Sequence, residues 1–196
     1  MPGARIRGKA IGCSTERNEK PLQQRLVRAK RATMTIRPAT AADIPLLREL
    51  ARRTWRECYP AIISVEQIEF MLGWMYGGEE IARQLGAGVP WEIAEEGGEA
   101  LGFLSYELER DGRVKVHKLY VLPERQRRGF GARMLAHVMA RARELGAIEV
   151  WMQVNKRNTR AIAAYKKAGF HIAQEAVFDI GHGFVMDDHL MVRSFG

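Results

Sequence analysis

Cysteine is scarce: Cys13 and Cys58 are the only two in 196 residues. They offer neither a disulfide framework nor metal-ligand spacing, so no metal is expected, and the scarcity fits a reducing cytoplasm. No apolar run approaches the ~20 residues that a membrane helix needs, so no membrane partner is expected either. The chain has no internal repeats and no low-complexity segment. It also lacks G-x-G-x-x-G opening a helix and G-x-x-x-x-G-K-[ST], which removes the dinucleotide fingerprint and the P-loop.

Acidic residues are few at one end. Residues 1 to 33 carry nine Lys or Arg against Glu16 and Glu19, which is +7 of the chain's +8 and leaves the rest nearly neutral. Such a tail reads as an arm for nucleic acid or an acidic surface, or as a disordered extension upstream of a start at Met34. It has no aromatic residue to stack on bases, so nucleic acid is not the expected partner. It lacks the apolar core of a secretory signal, and its two glutamates count against a mitochondrial presequence. The expected division is a basic extension over 1–33 and one domain over 34–196. At 46% hydrophobic residues, that length can bury a substantial core.

Within the domain, Met34 to Ala39 reads as a strand ended by Arg37-Pro38. Thr40 with Asp43 is a capping-box start, and Leu46, Leu47, Leu50, Ala51 and Trp55 trace one face of a helix to Tyr59-Pro60. Ser64 with Gln67 opens a second helix that stops at Gly77-Gly78, and Glu79 to Leu85 makes a third. Trp91–Glu95 and Ala100–Leu108 form a hairpin across Gly97-Gly98. A strand at Ile148 to Val154, a helix at Asn158 to Ala168 and a hairpin of His171–Ile180 with Phe184–Arg193 complete the chain. The order predicts an α/β (α+β) single domain, a mixed central sheet of about seven strands with helices on both faces.

The centre of this pattern is residues 116 to 135. Val116, Leu119, Tyr120 and Val121 have strand character, and Pro123 ends the strand. From Gly131, Met134, Leu135, Val138, Met139, Ala142 and Leu145 keep helical spacing. Between them lies Gln126-Arg127-Arg128-Gly129-Phe130-Gly131. A helix start presents unpaired N–H groups and the positive end of the macrodipole, and glycine lets an anion reach the main chain. The turn alone is also consistent with a solvated Arg/Gly loop.

Gln126-x-x-Gly129-x-Gly131 after Leu119-Tyr120-Val121-Leu122-Pro123-Glu124 resembles the acetyl-CoA signature of the GCN5-related N-acetyltransferases (GNAT). So does the later run Asn155-x-x-Asn158, Ala161, Tyr165, Lys167, Gly169-Phe170, and the likeness spans roughly Thr35 to Val192. The resemblance implies acetyl-CoA as cosubstrate. Leu119, Tyr120 and Val121 would pair with the pantetheine, and Arg127, Arg128, Gly129, Phe130, Gly131 and Ala132 would cradle the pyrophosphate. Asn158 would bond the pantetheine arm, Lys167 would reach a phosphate, and Tyr165 would approach the sulfur. Relatives are often dimers, which adds a homodimer to the expectations.

Acetyl transfer to an amine poses two proton problems. An alkyl ammonium with pKa near ~10.4 is neutral in about one molecule per thousand at pH 7, a deficit of roughly 4 kcal/mol. The departing thiolate needs a proton, and a phenol such as Tyr165 can donate one. The base is open, because Lys115 to Val121 has no carboxylate where many relatives place one. Alternation puts Lys115, His117, Leu119 and Val121 on one face, so His117 can relay a proton or serve structurally. Glu57, Glu92 and Glu107 stand in reserve.

Trp55 to Ser64 and Phe178 to Asp188 resemble the bacterial group that includes spermidine/spermine N-acetyltransferases. A polycation suits aromatic walls (Trp55, Tyr59, Trp74, Tyr76) and spaced carboxylates (Glu57, Asp187, Asp188). The expected partner is a small-molecule amine. The alternatives are a protein N-terminus or lysine as acceptor, and a non-catalytic coenzyme A-binding or nucleic-acid-binding module.

Overall fold

A computed structural model describes residues 33–195. The basic extension read at 1–33 therefore lies outside the described residues, Thr33 apart. Seven strands and five α-helices follow in the order β1 (Met34–Pro38), α1 (Ile44–Cys58), α2 (Val65–Tyr76), α3 (Gly78–Gly86), β2 (Trp91–Glu96), β3 (Glu99–Leu108) and β4 (Arg113–Val121). Then come α4 (Phe130–Glu144), β5 (Glu149–Asn155), α5 (Thr159–Lys167), β6 (His171–Gly181) and β7 (Phe184–Ser194). The sheet order is β1-β2-β3-β4-β5-β7-β6, and only β4 with β5 run parallel. The expected mixed sheet of seven strands is what forms.

Each face of the sheet has its own core. On one, Met134, Leu135, Val138 and Met139 of α4 and Ile162 of α5 pack on Val114, Val116, Val150 and Met152. On the other, Leu47, Leu50 and Trp55 of α1, Ile68 and Met71 of α2 and Ile81 of α3 pack on Trp91, Ile93 and Phe103. The i, i+3, i+4 spacing read in α1 and α4 is thus the spacing that is buried. The capping box at Thr40 and Asp43 also forms, but it opens a short 3-10 turn, and α1 itself begins at Ile44. Arg37 locks that corner, with its guanidinium on Asp43 at 2.8 Å and on Glu95 at 2.8 Å.

Strand β4 carries the feature that shapes the site. Against β3, Ser105 pairs with Lys118 and Tyr106 with Val116, which leaves His117 as an extra residue. A bulge of this kind shifts the alternation by one. Val114 and Val116 before it and Leu119 and Val121 after it all face the α4 core, while Tyr120 joins the α1–α3 core. The expectation that Lys115, His117, Leu119 and Val121 share a face is therefore corrected. The Lys115 Nζ lies over the Trp151 ring at 4.5 Å, on the face away from Val116.

The second consequence is a parting of strands. Pairing of β4 with β5 runs from Arg113 with Glu149 to Val116 with Met152 and stops there. Beyond His117 the two strands separate, and the β5-facing edge of residues 117–121 is left without a partner strand.

Candidate active site

That gap is the floor of a cleft of about 1730 Å³ lined from both faces of the sheet. Leu119, Tyr120 and Val121 form one wall, and Gln153, Val154 and Asn155 form the other. At the end of β4 the Gln126 Nε2 donates to the Val121 carbonyl at 2.9 Å, which ties the following turn to the strand. The turn then adopts left-handed backbone at Arg127 (φ 61°) and at Gly129 (φ 83°). Alternation of this sort folds successive N–H groups into a concave anion-binding nest. The Phe130, Gly131 and Ala132 amides open α4 and have no helical carbonyl ahead of them, and the first turn contains no acidic side chain to occupy them. A Cβ added at Gly129 would meet no atom within 4 Å, and one at Gly131 only a Val121 methyl carbon at 3.8 Å. With their N–H groups unpaired within the helix and no acidic side chain in the first turn, the residues present fit a diphosphate.

Not every member of the turn contributes its side chain. Arg127, Gly129, Gly131 and Ala132 line the cleft, together with Asn158 and Lys167. The Phe130 ring is buried under α4, and the Arg128 guanidinium lies over that ring at 5.3 Å and 3.6 Å from Glu96. These two residues have only main chain to offer. Arg127 pays for its place with strained backbone, about 1–2 kcal/mol for a non-glycine residue in this region. Arg127→Gly should therefore raise thermal stability by about 1 kcal/mol while weakening the binding of a diphosphate anion through the lost charge. Paired melting curves and calorimetry check both directions.

Tyr165 sits on α5 with its ring against Phe170 (centroids 6.2 Å apart), and burial pushes its phenol up to about 12. It lies close enough to Tyr59 and Tyr120 to raise both phenols further, although burial is the main reason that each stands well above its ordinary value. Tyr59 in turn stacks on Trp55 at 4.3 Å with an 8° interplanar angle. Three protonated phenols thus converge on the parted strands. Asn158 caps α5, its Oδ1 accepting from the Ala161 amide at 3.2 Å.

His117 lines the cleft and lies 3.3 Å from Glu107. Burial, then Lys118 and Lys115, hold its pKa below the ordinary value, so the ring is neutral at pH 7 and able to accept a proton. Glu92 is bonded instead to His137 of α4 at 2.8 Å, away from the cleft, and Glu57 is exposed at its rim. Of the aromatic walls, Trp55, Tyr59 and Trp74 line the cleft, whereas Tyr76 is 2% exposed within the α1–α3 core. Asp187 is held by Lys156 at 2.6 Å. Asp188 is buried in the cleft lining.

Three contributors escaped the sequence reading. Arg157 donates to the carbonyls of Ile62 at 2.6 Å and Ala61 at 2.8 Å, and Gln67 donates to that of Val185 at 2.7 Å. Together they fasten the α1–α2 segment over the cleft. Arg157 lies between the motif asparagines Asn155 and Asn158, which was the one signal available. Lys118 is also unforeseen: it is buried, its ammonium lies 4.7 Å from the Trp91 ring centroid, and burial lowers its pKa to about 8.

Burial raises the Asp188 carboxyl from 3.8 to about 6, with Asp187 adding to the rise. The native state then binds the extra proton between pH 4 and 6, so stability falls as pH rises through that window. The full penalty, at most roughly 3 kcal/mol before solvent screening, persists above it. Asp188→Asn should consequently melt higher than the parent protein at pH 7.5, with the difference closing near pH 4.

Comparison with known proteins agrees with this geometry. Residues 44–170 match the model of the Acetyltransferase (GNAT) family. An uncharacterised N-acetyltransferase of Mycobacterium tuberculosis is 35% identical over 100 residues, covering 51% of this chain and 64% of the relative. The match therefore spans just under two thirds of that relative's length. Spermidine N(1)-acetyltransferase of Thermoplasma acidophilum is 22% identical over 160 residues, covering 79% of this chain and 96% of that protein. Among solved structures, the PaiA N-acetyltransferase of T. acidophilum in complex with coenzyme A superposes with a TM-score of 0.71 at 21% identity, covering 83% of this chain and 99% of the other. With its motifs, its parted strands and this match in accord, the chain belongs to the acetyltransferase (GNAT) family.

Proposed function

We propose that this protein transfers an acetyl group from acetyl-CoA to a primary amine of a diamine or polyamine, by direct attack within a ternary complex. The observation that carries the reading is the parting of β4 from β5 beyond Val116, with an amide-lined turn at one end and Tyr165 at the gap. The open edge of residues 117–121 accepts the pantetheine as a strand would, and the turn at Gly129 and Gly131 takes the diphosphate. Lys167 and Arg127 add charge beside it, and Asn158 bonds the pantetheine arm.

In the reaction the amine nitrogen attacks the thioester carbon, and main-chain N–H near Val121 meets the charge developing on oxygen. As the C–S bond breaks, Tyr165 gives its proton to the thiolate. Neutral His117 takes the proton from the nitrogen and passes it to solvent. A proton from solvent then restores the Tyr165 phenol, so the free amine and acetyl-CoA give the amide and free coenzyme A, and the one proton released overall is the one the substrate ammonium loses before attack. The likeness to a spermidine N-acetyltransferase supports the choice of acceptor.

Free-thiol release from acetyl-CoA with a panel of amines tests the proposal. Spermidine, spermine or putrescine should each raise release well above the no-amine background. A response to a peptide amine alone would transfer the assignment to protein acceptors, and failure of acetyl-CoA to bind at millimolar concentration would remove it altogether.

A further inference from the structure

We infer that the Asp188 carboxylate holds the second, non-reacting ammonium of a diamine or polyamine acceptor, an assignment that rests on the acetyl-transfer reading above. Asp188 is 1% exposed, lines the cleft, and neither of its oxygens has a hydrogen-bond partner among the described residues. A buried carboxylate in that condition is costly unless something cationic completes it. Among the described residues no side chain supplies the cation. Lys156, the basic group nearby, is committed to Asp187 at 2.6 Å and to Glu175 at 3.0 Å.

The other carboxylates of this region are already spoken for. Asp179 accepts from the Gly181 amide at 2.8 Å, Asp187 has Lys156, and Glu57 is exposed. Asp188 alone is both enclosed and uncompensated.

Its position says which nitrogen it would hold. Asp188 pairs with Asn155 across β5 and β7, on the sheet face that it shares with Trp151 and Gln153. Strand β7 stands two places from β4, and since β4 and β5 have parted at this level the separation exceeds the ~10 Å of ordinary strand spacing. That is too far to take a proton from a nitrogen attacking a thioester laid along β4, and it suits an ammonium a few carbons further along the same molecule. Ile180 and Met186 line the cleft near it, an apolar path for the methylenes. The Gln67 and Arg157 hydrogen bonds to the carbonyls of Val185, Ala61 and Ile62 close the chamber above.

The charged groups acting on Asp188 are Asp187 on its own strand and Lys156 just past β5, while its cross-strand partners Asn155 of β5 and Ala176 of β6 are neutral. With a pKa of about 6 the carboxyl is ionised at pH 7 and ready for a cation.

Putrescine and butylamine, equal in carbon length, separate the second ammonium from everything else. The parent protein should show a kcat/KM about ten- to a hundredfold higher for putrescine, the range expected of a charge-assisted contact. In Asp188→Asn the ratio should collapse toward one. Acetyl-CoA affinity by calorimetry reports whether the variant is folded. A second reading needs no variant: in the parent protein the same ratio should fall as pH drops below about 6. A ratio that survives both the substitution and acid, or a parent protein that does not distinguish the two amines, overturns the inference and leaves acetyl transfer standing. Thiol release with neither amine but with a peptide amine overturns the inference together with the polyamine reading.

Discussion

Replacing Tyr165 by phenylalanine is expected to lower turnover about a hundredfold or more while leaving acetyl-CoA affinity nearly unchanged. The ring packs on Phe170 and within the α4 core, and phenylalanine keeps that packing. Only the hydroxyl is lost, and a positioned general acid contributes about 10²–10⁴ in rate. The phenol stays protonated through alkaline conditions because burial holds it near 12, so the parent protein should show no loss of turnover from Tyr165 ionisation below about pH 11. Steady-state kinetics with spermidine, beside calorimetric titration of acetyl-CoA, separate the two effects. Turnover within a fewfold of the parent protein would show that the thiolate departs without help from this phenol. An equal loss in affinity would instead make Tyr165 a binding residue.

The second large effect is expected at Gly102, which no motif singles out. It lies opposite Val121 where β3 supports the end of β4. An added Cβ would stand 2.2 Å from the Tyr120 carbonyl oxygen and 3.1 Å from the Val121 Cα. Both obstacles are main chain in the middle of the sheet, so neither can move aside as a flexible side chain would. Gly102→Ala should destabilise the fold by about 3 kcal/mol, a large share of the 5–15 kcal/mol of an ordinary domain. The displaced backbone is also the strand edge proposed to receive the pantetheine, so acetyl-CoA affinity should fall in the molecules that remain folded. Gly73→Ala is the control. It lies within α2, a Cβ there meets nothing within 4 Å, and alanine should stabilise the helix by about 0.5–1 kcal/mol. Chemical denaturation of the three proteins compares these directly. Equal midpoints for Gly102→Ala and the parent protein would mean that the sheet has more room at this point than the structure allows.

Local signals carried much of the fold. Strand alternation, the Ser64 cap, the Gly77 stop and the glycine pairs at the hairpins each act within a few residues, so the elements were legible from neighbours alone. The turn from Gln126 to Gly131 and the run from Asn158 to Phe170 were equally legible, because their chemistry resides in short, contiguous stretches.

What sequence could not reach depends on residues far apart in the chain. The bulge at His117 follows from how β3 and β4 align, and one extra residue reverses every side chain beyond it; simple alternation therefore put His117 with Leu119 and Val121. The carboxylates behaved likewise. Asp187 and Asp188 are adjacent in the chain, yet one meets Lys156 in solvent and the other is enclosed without a hydrogen-bond partner among the described residues. The chain by itself determined which elements form and which turn can grip a diphosphate, since both follow from local backbone preference. The tertiary structure decided which side chains line the cleft and which acid is enclosed without a hydrogen-bond partner among the described residues, since register and burial are properties of strands brought together.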